Sequence, residues 1–118
     1  MSRIVIAVVD DMFFASKIRA VAEATGVEIS FPRSVEALLE KAKGAQLILV
    51  DLHNQKLDPM ALARAVKSDE QTLGVPLVGF FSHVQTELQR NAVEAGYDQV
   101  MPRSVFARDL SKILLGED

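Results

Sequence analysis

The stretch that most restricts the fold is Leu47-Ile-Leu-Val-Asp51, a short apolar run that stops on a carboxylate. A run this apolar offers water no polar side, so it reads as an inner strand covered on both faces, as in a parallel sheet. Its first acid marks the point where the chain leaves the core. Asp51 is thereby a candidate reactive group at the C-terminal end of a strand.

The same unit recurs along the chain. Arg3 to Val9 is a β-branched apolar run that closes on Asp10-Asp11. Phe13 to Thr25 keeps a helical period through Phe14, Ile18, Val21 and Ala22, and Gly26 is placed to stop it. Val27 to Phe31 reads as a second strand, and Ser34 as the cap of a helix that carries Val35, Leu38, Leu39 and Ala42 and ends at Gly44. After Asp51 a polar loop leads to Asp58-Pro59, a cap and first helical position that start a helix running to about Ser68. Val75-Pro76 opens a fourth strand, Leu77 to Phe81, since proline is tolerated at a strand's first residue. A helix from Gln85 to Ala95 with Gly96 as terminator, a brief strand from Gln99 to Met101, and a last helix capped by Ser104 with Val105, Phe106, Leu110, Ile113 and Leu114 complete the pattern. Five strands alternating with five helices predict one doubly wound α/β domain over 1–118, because each right-handed parallel crossover needs its own helix. With 118 residues, 49% of them apolar, there is material for one sizeable core.

A formal net charge of −3 leaves no basic footprint, so direct nucleic-acid binding is not expected. The absence of cysteine removes a disulfide framework and a thiolate zinc site. No apolar run approaches membrane-spanning length, and the N-terminus lacks a small-residue cleavage site; a cytoplasmic protein without membrane contact is the expectation.

In doubly wound sheets, ligands bind beyond the C-terminal ends of the strands, near the point where strand order reverses. That edge gathers Asp10, Asp11, Asp51, Phe81, Ser82, His83 and Arg103. Carboxylates brought together stay ionised only beside a cation. Magnesium takes oxygen ligands, which suits Asp11 and Asp51 directly, Asp10 through water, and the backbone carbonyl of His53. One Asp51 oxygen then remains to attack a phosphoryl group and form an acyl phosphate, with Arg103 pairing with Asp51 or with the phosphate. Plainer readings stand beside these. Asp10-Asp11 also reads as a helix-capping pair, Asp51 as a strand terminator, Arg103 as a loop charge and Ser82 as a loop serine. His53 and His83 with Asp11 and Asp51 would suit a transition metal, solvated loop histidines being the plainer alternative. Phe80, Phe81 and Phe106 are core residues, or a partner surface if exposed.

Taken in order, Val8-Val-Asp-Asp11, Leu47 to Asp51, Leu57-Asp58-Pro59, Val75 to Phe80 and Ala95-Gly96 resemble the receiver domain of bacterial two-component response regulators over essentially the whole chain. The resemblance implies a CheY-like, flavodoxin-like three-layer sandwich with strand order 2-1-3-4-5. It also implies Asp51 as phosphoacceptor, Asp10 and Asp11 as the acidic pair for Mg2+, and a histidine kinase or phosphotransfer protein as donor. The departures are specific. The family's Thr or Ser at the end of the fourth strand falls on Phe81, whose ring has no hydroxyl, with Ser82 next along. Successive strand side chains face opposite ways, so Ser82 serves only if the strand end is offset by one residue. The family's Lys-Pro falls on Arg103-Ser104, and its switching aromatic falls near Val100.

The expectation is therefore a stand-alone receiver that signals to a downstream protein. The alternative is a pseudo-receiver, an interaction module working without phosphorylation. An aspartyl phosphohydrolase is disfavoured, because no second acid follows two residues after Asp51 and no glycine-rich loop follows the first strand. No enzymatic turnover is expected.

Overall fold

A computed structural model describes residues 3–83 and 85–117. Elements alternate as β1 (Ile4–Val8), α1 (Met12–Thr25), β2 (Glu28–Ser30), α2 (Val35–Ala42), β3 (Leu47–Asp51), α3 (Pro59–Ser68), β4 (Leu77–Phe81), α4 (Thr86–Ala95), β5 (Gln99–Pro102), α5 (Arg103–Arg108) and α6 (Leu110–Leu115). The strands form one all-parallel sheet in the order β2-β1-β3-β4-β5, so the chain moves outward from β1 in both directions.

Strand periodicity divides the core in two. Leu47 and Leu49 of β3 join Phe14, Ile18, Phe106, Leu110 and Leu114, which puts α1, α5 and α6 on one face. Ile48 and Val50 join Leu38, Leu62, Val66 and Ala92, which puts α2, α3 and α4 on the other. Every residue of β3 is buried, as the apolar run requires of the central strand.

Helix starts follow local chemistry. Ser34 caps α2, and the Asp58 carboxylate accepts from the N–H groups of Met60 and Ala61 with Pro59 at the first helical position. The C-terminal segment differs from expectation. It holds two helices, not one, and Ser104 caps neither. Pro102, its φ fixed by the ring, precedes a helix that starts at Arg103, so Ser104 already lies inside it. Asp109, a poor helix-interior residue with its carboxylate gripped by Arg108, departs to φ −102°, ψ 16° and separates α5 from α6. Among the described residues there are thus six helices. None of them is long and apolar enough to cross a membrane.

Candidate functional site

Asp51 ends β3 at the C-terminal edge of the sheet, next to the place where strand order turns between β1 and β3. It is only 7% exposed. Oδ1 accepts from the His53 backbone N–H at 2.9 Å, while among the described residues Oδ2 accepts no hydrogen bond. Burial pushes the Asp51 carboxyl above the ordinary aspartate value, against the pull of the His53 N–H and the positive charge of Arg103.

The acidic pair after β1 splits its duties. Asp10 reaches across to the loop after β3, where its Oδ2 accepts from the Gln55 N–H at 3.0 Å. Asp11 is the N-cap of α1: Oδ1 accepts from Phe13 N–H at 2.9 Å and Phe14 N–H at 3.2 Å. Its other oxygen, Oδ2, takes Arg103 Nη2 at 3.0 Å. The Arg103 hydrogen bond, followed by that of the Phe14 N–H, holds the Asp11 carboxyl below the ordinary value.

Arg103 arrives from the first position of α5 and is held from below by an aromatic platform. Its guanidinium carbon lies 4.0 Å from the centroid of the Phe14 ring. Phe14 meets Phe80 edge-on at 5.3 Å and Phe106 at 5.8 Å, and Phe80 and Phe106 stack at 4.4 Å. Phe14 is the functional residue that sequence reading passes over as ordinary core. Its spacing from Asp11 puts both on the first turn of α1, but nothing local joins them to an arginine 92 residues away from Asp11.

The fourth strand resolves the question of the missing hydroxyl. Asp51 stands beside Phe80 in the β3–β4 register, and Phe80 belongs to the α1/α5 face with the aromatic platform. Phe81 turns to the opposite face and packs in the cluster of Leu52, Ala92 and Tyr97, with Val100 and Leu88 against it. Ser82 is exposed, and among the described residues its hydroxyl makes no hydrogen bond. The edge therefore brings together Asp11 and Arg103, with Asp10 and Asp51 tied to the loop after β3, while Phe81 joins the core. His53 and His83 meet edge-on with ring centroids 5.7 Å apart, and among the described residues the buried His53 Nε2 has no hydrogen-bond partner. Asn54, another residue that sequence reading leaves unremarked, shapes the same loop by accepting from the N–H groups of Lys56 and Leu57.

The chemistry of the donor set, three carboxylates and a backbone carbonyl, is that of a hard cation. The arrangement is not. Among the described residues no three acidic or histidine side chains converge as ligands for an ion, and the outward oxygen of Asp11 already holds Arg103. As placed, Asp11 has no oxygen free of another partner to offer Mg2+.

No protein-family model and no curated protein matches the chain. Solved structures do. The receiver domain of a Pseudomonas aeruginosa sensor histidine kinase, described with a magnesium ion coordinated in its active-site cleft, superposes with a TM-score of 0.81 at 18% identity, over 98% of this chain and 97% of its own. The chemotaxis response regulator CheY4 of Vibrio cholerae gives 0.80 at 18% identity, over 98% of both chains. A CheY-like receiver domain protein of Methanospirillum hungatei gives 0.78 at 19% identity, over 98% of this chain and 93% of its own. At such identities the likeness establishes architecture alone, and the chain has the fold of the CheY-like receiver domains of response regulators.

Proposed function

We propose that the chain is a signalling receiver that accepts a phosphoryl group on Asp51 and answers by changing what it binds. The observation that carries this reading is the placement of Asp51. It is a nearly buried carboxylate on the central strand at the switch-point edge, with one oxygen fixed by the His53 N–H and the other uncommitted among the described residues. Fixing one oxygen orients the other for attack. In the step, Asp51 Oδ2 bonds to phosphorus as the donor's P–N or P–O bond breaks, and the electron pair leaves with the donor atom, which takes up a proton where it needs one. The product is an acyl phosphate. Arg103 supplies positive charge near it.

The donor under this reading is a histidine kinase or phosphotransfer protein, and the output is contact with a downstream protein. Met12 and Phe13, 81% and 90% exposed, stand beside Asp11 where such a donor has to approach. The chain turns nothing over by itself. Incubation with acetyl phosphate, followed by intact mass measurement, tests the assignment. A gain of one phosphoryl group that disappears in Asp51→Asn supports it, and no gain with or without magnesium sinks it.

A second reading, the pseudo-receiver, is favoured by one specific observation. Phe81 sits in the core where a receiver carries a hydroxyl, and Val100 packs in the same cluster with no ring to rotate. Partner binding that is identical for wild type and Asp51→Asn would select this reading.

A further inference from the structure

We propose that Arg103 is a built-in counter-ion that holds the place of a divalent cation at Asp11, so that the acidic edge neither needs nor takes Mg2+. The inference does not depend on whether Asp51 is phosphorylated.

Both oxygens of Asp11 are committed. Oδ1 accepts two backbone N–H groups at the start of α1, and Oδ2 accepts Arg103 Nη2 at 3.0 Å. An ion that reached Asp11 would have to displace either the helix cap or the guanidinium. The guanidinium is no free-swinging surface charge. Its side chain is one-third exposed, sits over the Phe14 ring with the guanidinium carbon 4.0 Å from the centroid, and leaves the backbone directly after Pro102, whose ring limits the φ of that turn. Phe14 in turn is buried against the stacked pair Phe80 and Phe106. Stacking on an aromatic face while donating in-plane to a carboxylate is geometry available to arginine and not to lysine's ammonium.

The remaining acids offer little compensation. Asp10 Oδ2 is spent on the Gln55 N–H and Asp51 Oδ1 on the His53 N–H. Among the described residues each keeps one oxygen without a partner, but magnesium demands near-octahedral oxygen geometry and gives up its waters reluctantly, and no three acidic or histidine side chains among those residues converge on a common point. A cation fixed covalently to the fold also needs no translational entropy to stay in place, whereas a dissolved ion does. The positive field at the edge is thus a constant of the fold, and removing magnesium leaves it unchanged.

The test is a titration of the full chain with MgCl2, read by amide NMR shifts at Asp10, Asp11, Asp51 and His53, with thermal melting recorded for each variant. The wild type is expected to show no saturable shifts into the millimolar range. Arg103→Gln is expected to gain saturable binding, tighter by about tenfold or more, the factor that one nearby charge readily supplies. Arg103→Lys should fall between the two, and Phe14→Leu, which removes the platform and leaves the charge, should shift affinity in the same direction as Arg103→Gln by a smaller factor. Adding Asp11→Asn to Arg103→Gln should abolish the gained binding while preserving the cap of α1, since asparagine caps as well as aspartate. Saturable sub-millimolar binding by the wild type overturns the proposal. So does failure of both Arg103→Gln and Arg103→Lys to bind more tightly than the wild type while melting cooperatively. If Arg103→Gln does not fold, Arg103→Lys and Phe14→Leu decide by the same criterion.

Discussion

Asp51 is a carboxylate kept almost out of water by the strand that makes it useful. Its ionised form therefore costs the folded state something. The folded carboxyl binds its proton more tightly than the unfolded chain does, so the stability that goes with the protonated form is present at low pH and is lost as pH rises through the raised value. Asp51→Asn keeps an oxygen for the His53 N–H and removes the charge. It is expected to raise the melting temperature at pH 7, with a gain on the order of 1 kcal/mol, the usual size of a single buried-site effect. The gain should shrink as pH falls and vanish below the ordinary aspartate value of 3.8. A variant that melts lower than wild type at pH 7 would show that Asp51 is held by partners stronger than the one N–H seen. Asp11 has the opposite sign: its lowered value adds stability at neutral pH that acid removes, with Arg103 as the main cause.

At the scale of elements, β4 is fitted closely between its neighbours. A Cβ on Gly79 would stand 2.9 Å from Leu52 Cδ2 and 3.1 Å from Tyr97 Cδ1, both side chains buried. Tyr97 has little room to yield, because its hydroxyl donates to the Pro59 carbonyl at 2.8 Å and ties β4's surroundings to the start of α3. Gly79→Ala is accordingly expected to destabilise by roughly 1–3 kcal/mol through overpacking, checked by chemical denaturation. Its effect on Asp51 should follow, since Gly79 lies one residue before Phe80 in the register that seats the carboxylate. The helix starts were legible because they depend on one or two adjacent residues, as at Asp58-Pro59 and Ser34. The break at Asp109 was not. Apolar spacing from Phe106 through Leu110 to Leu114 is satisfied equally by one straight helix or two abutting ones, so the spacing does not mark the departure of Asp109 to φ −102°, ψ 16°.

For the molecule as a whole, an internally supplied charge has a functional consequence. If Arg103 neutralises the edge, phosphoryl uptake by Asp51 from acetyl phosphate should proceed at comparable rates in magnesium and in chelator, within about threefold, because no bound ion has to be assembled first. Phos-tag mobility or intact mass against time measures this, and a rate that collapses in chelator would return the divalent ion to the mechanism. The architecture needs no such experiment. Alternating apolar runs and amphipathic helices, glycine stops and acids at strand ends already specify a doubly wound parallel sheet. Those signals are local, and right-handed crossovers leave few ways to join them.

The sequence by itself determined which residues reach the C-terminal edge, because a strand that must be buried can carry a charge only where it ends. The tertiary structure alone decided what those residues hold. Whether Phe80 or Phe81 faces Asp51 is a matter of strand parity fixed by pairing with β3. Whether Asp11 meets an ion or Arg103 depends on a guanidinium brought from the far end of the chain onto the ring of Phe14. Ion pairs act over a few ångströms of space and carry no record in sequence separation, so the acidic pair and Arg103 could both be placed at this edge from the chain, with Asp51 or a phosphate as the expected partner, but that Arg103 holds Asp11 could not.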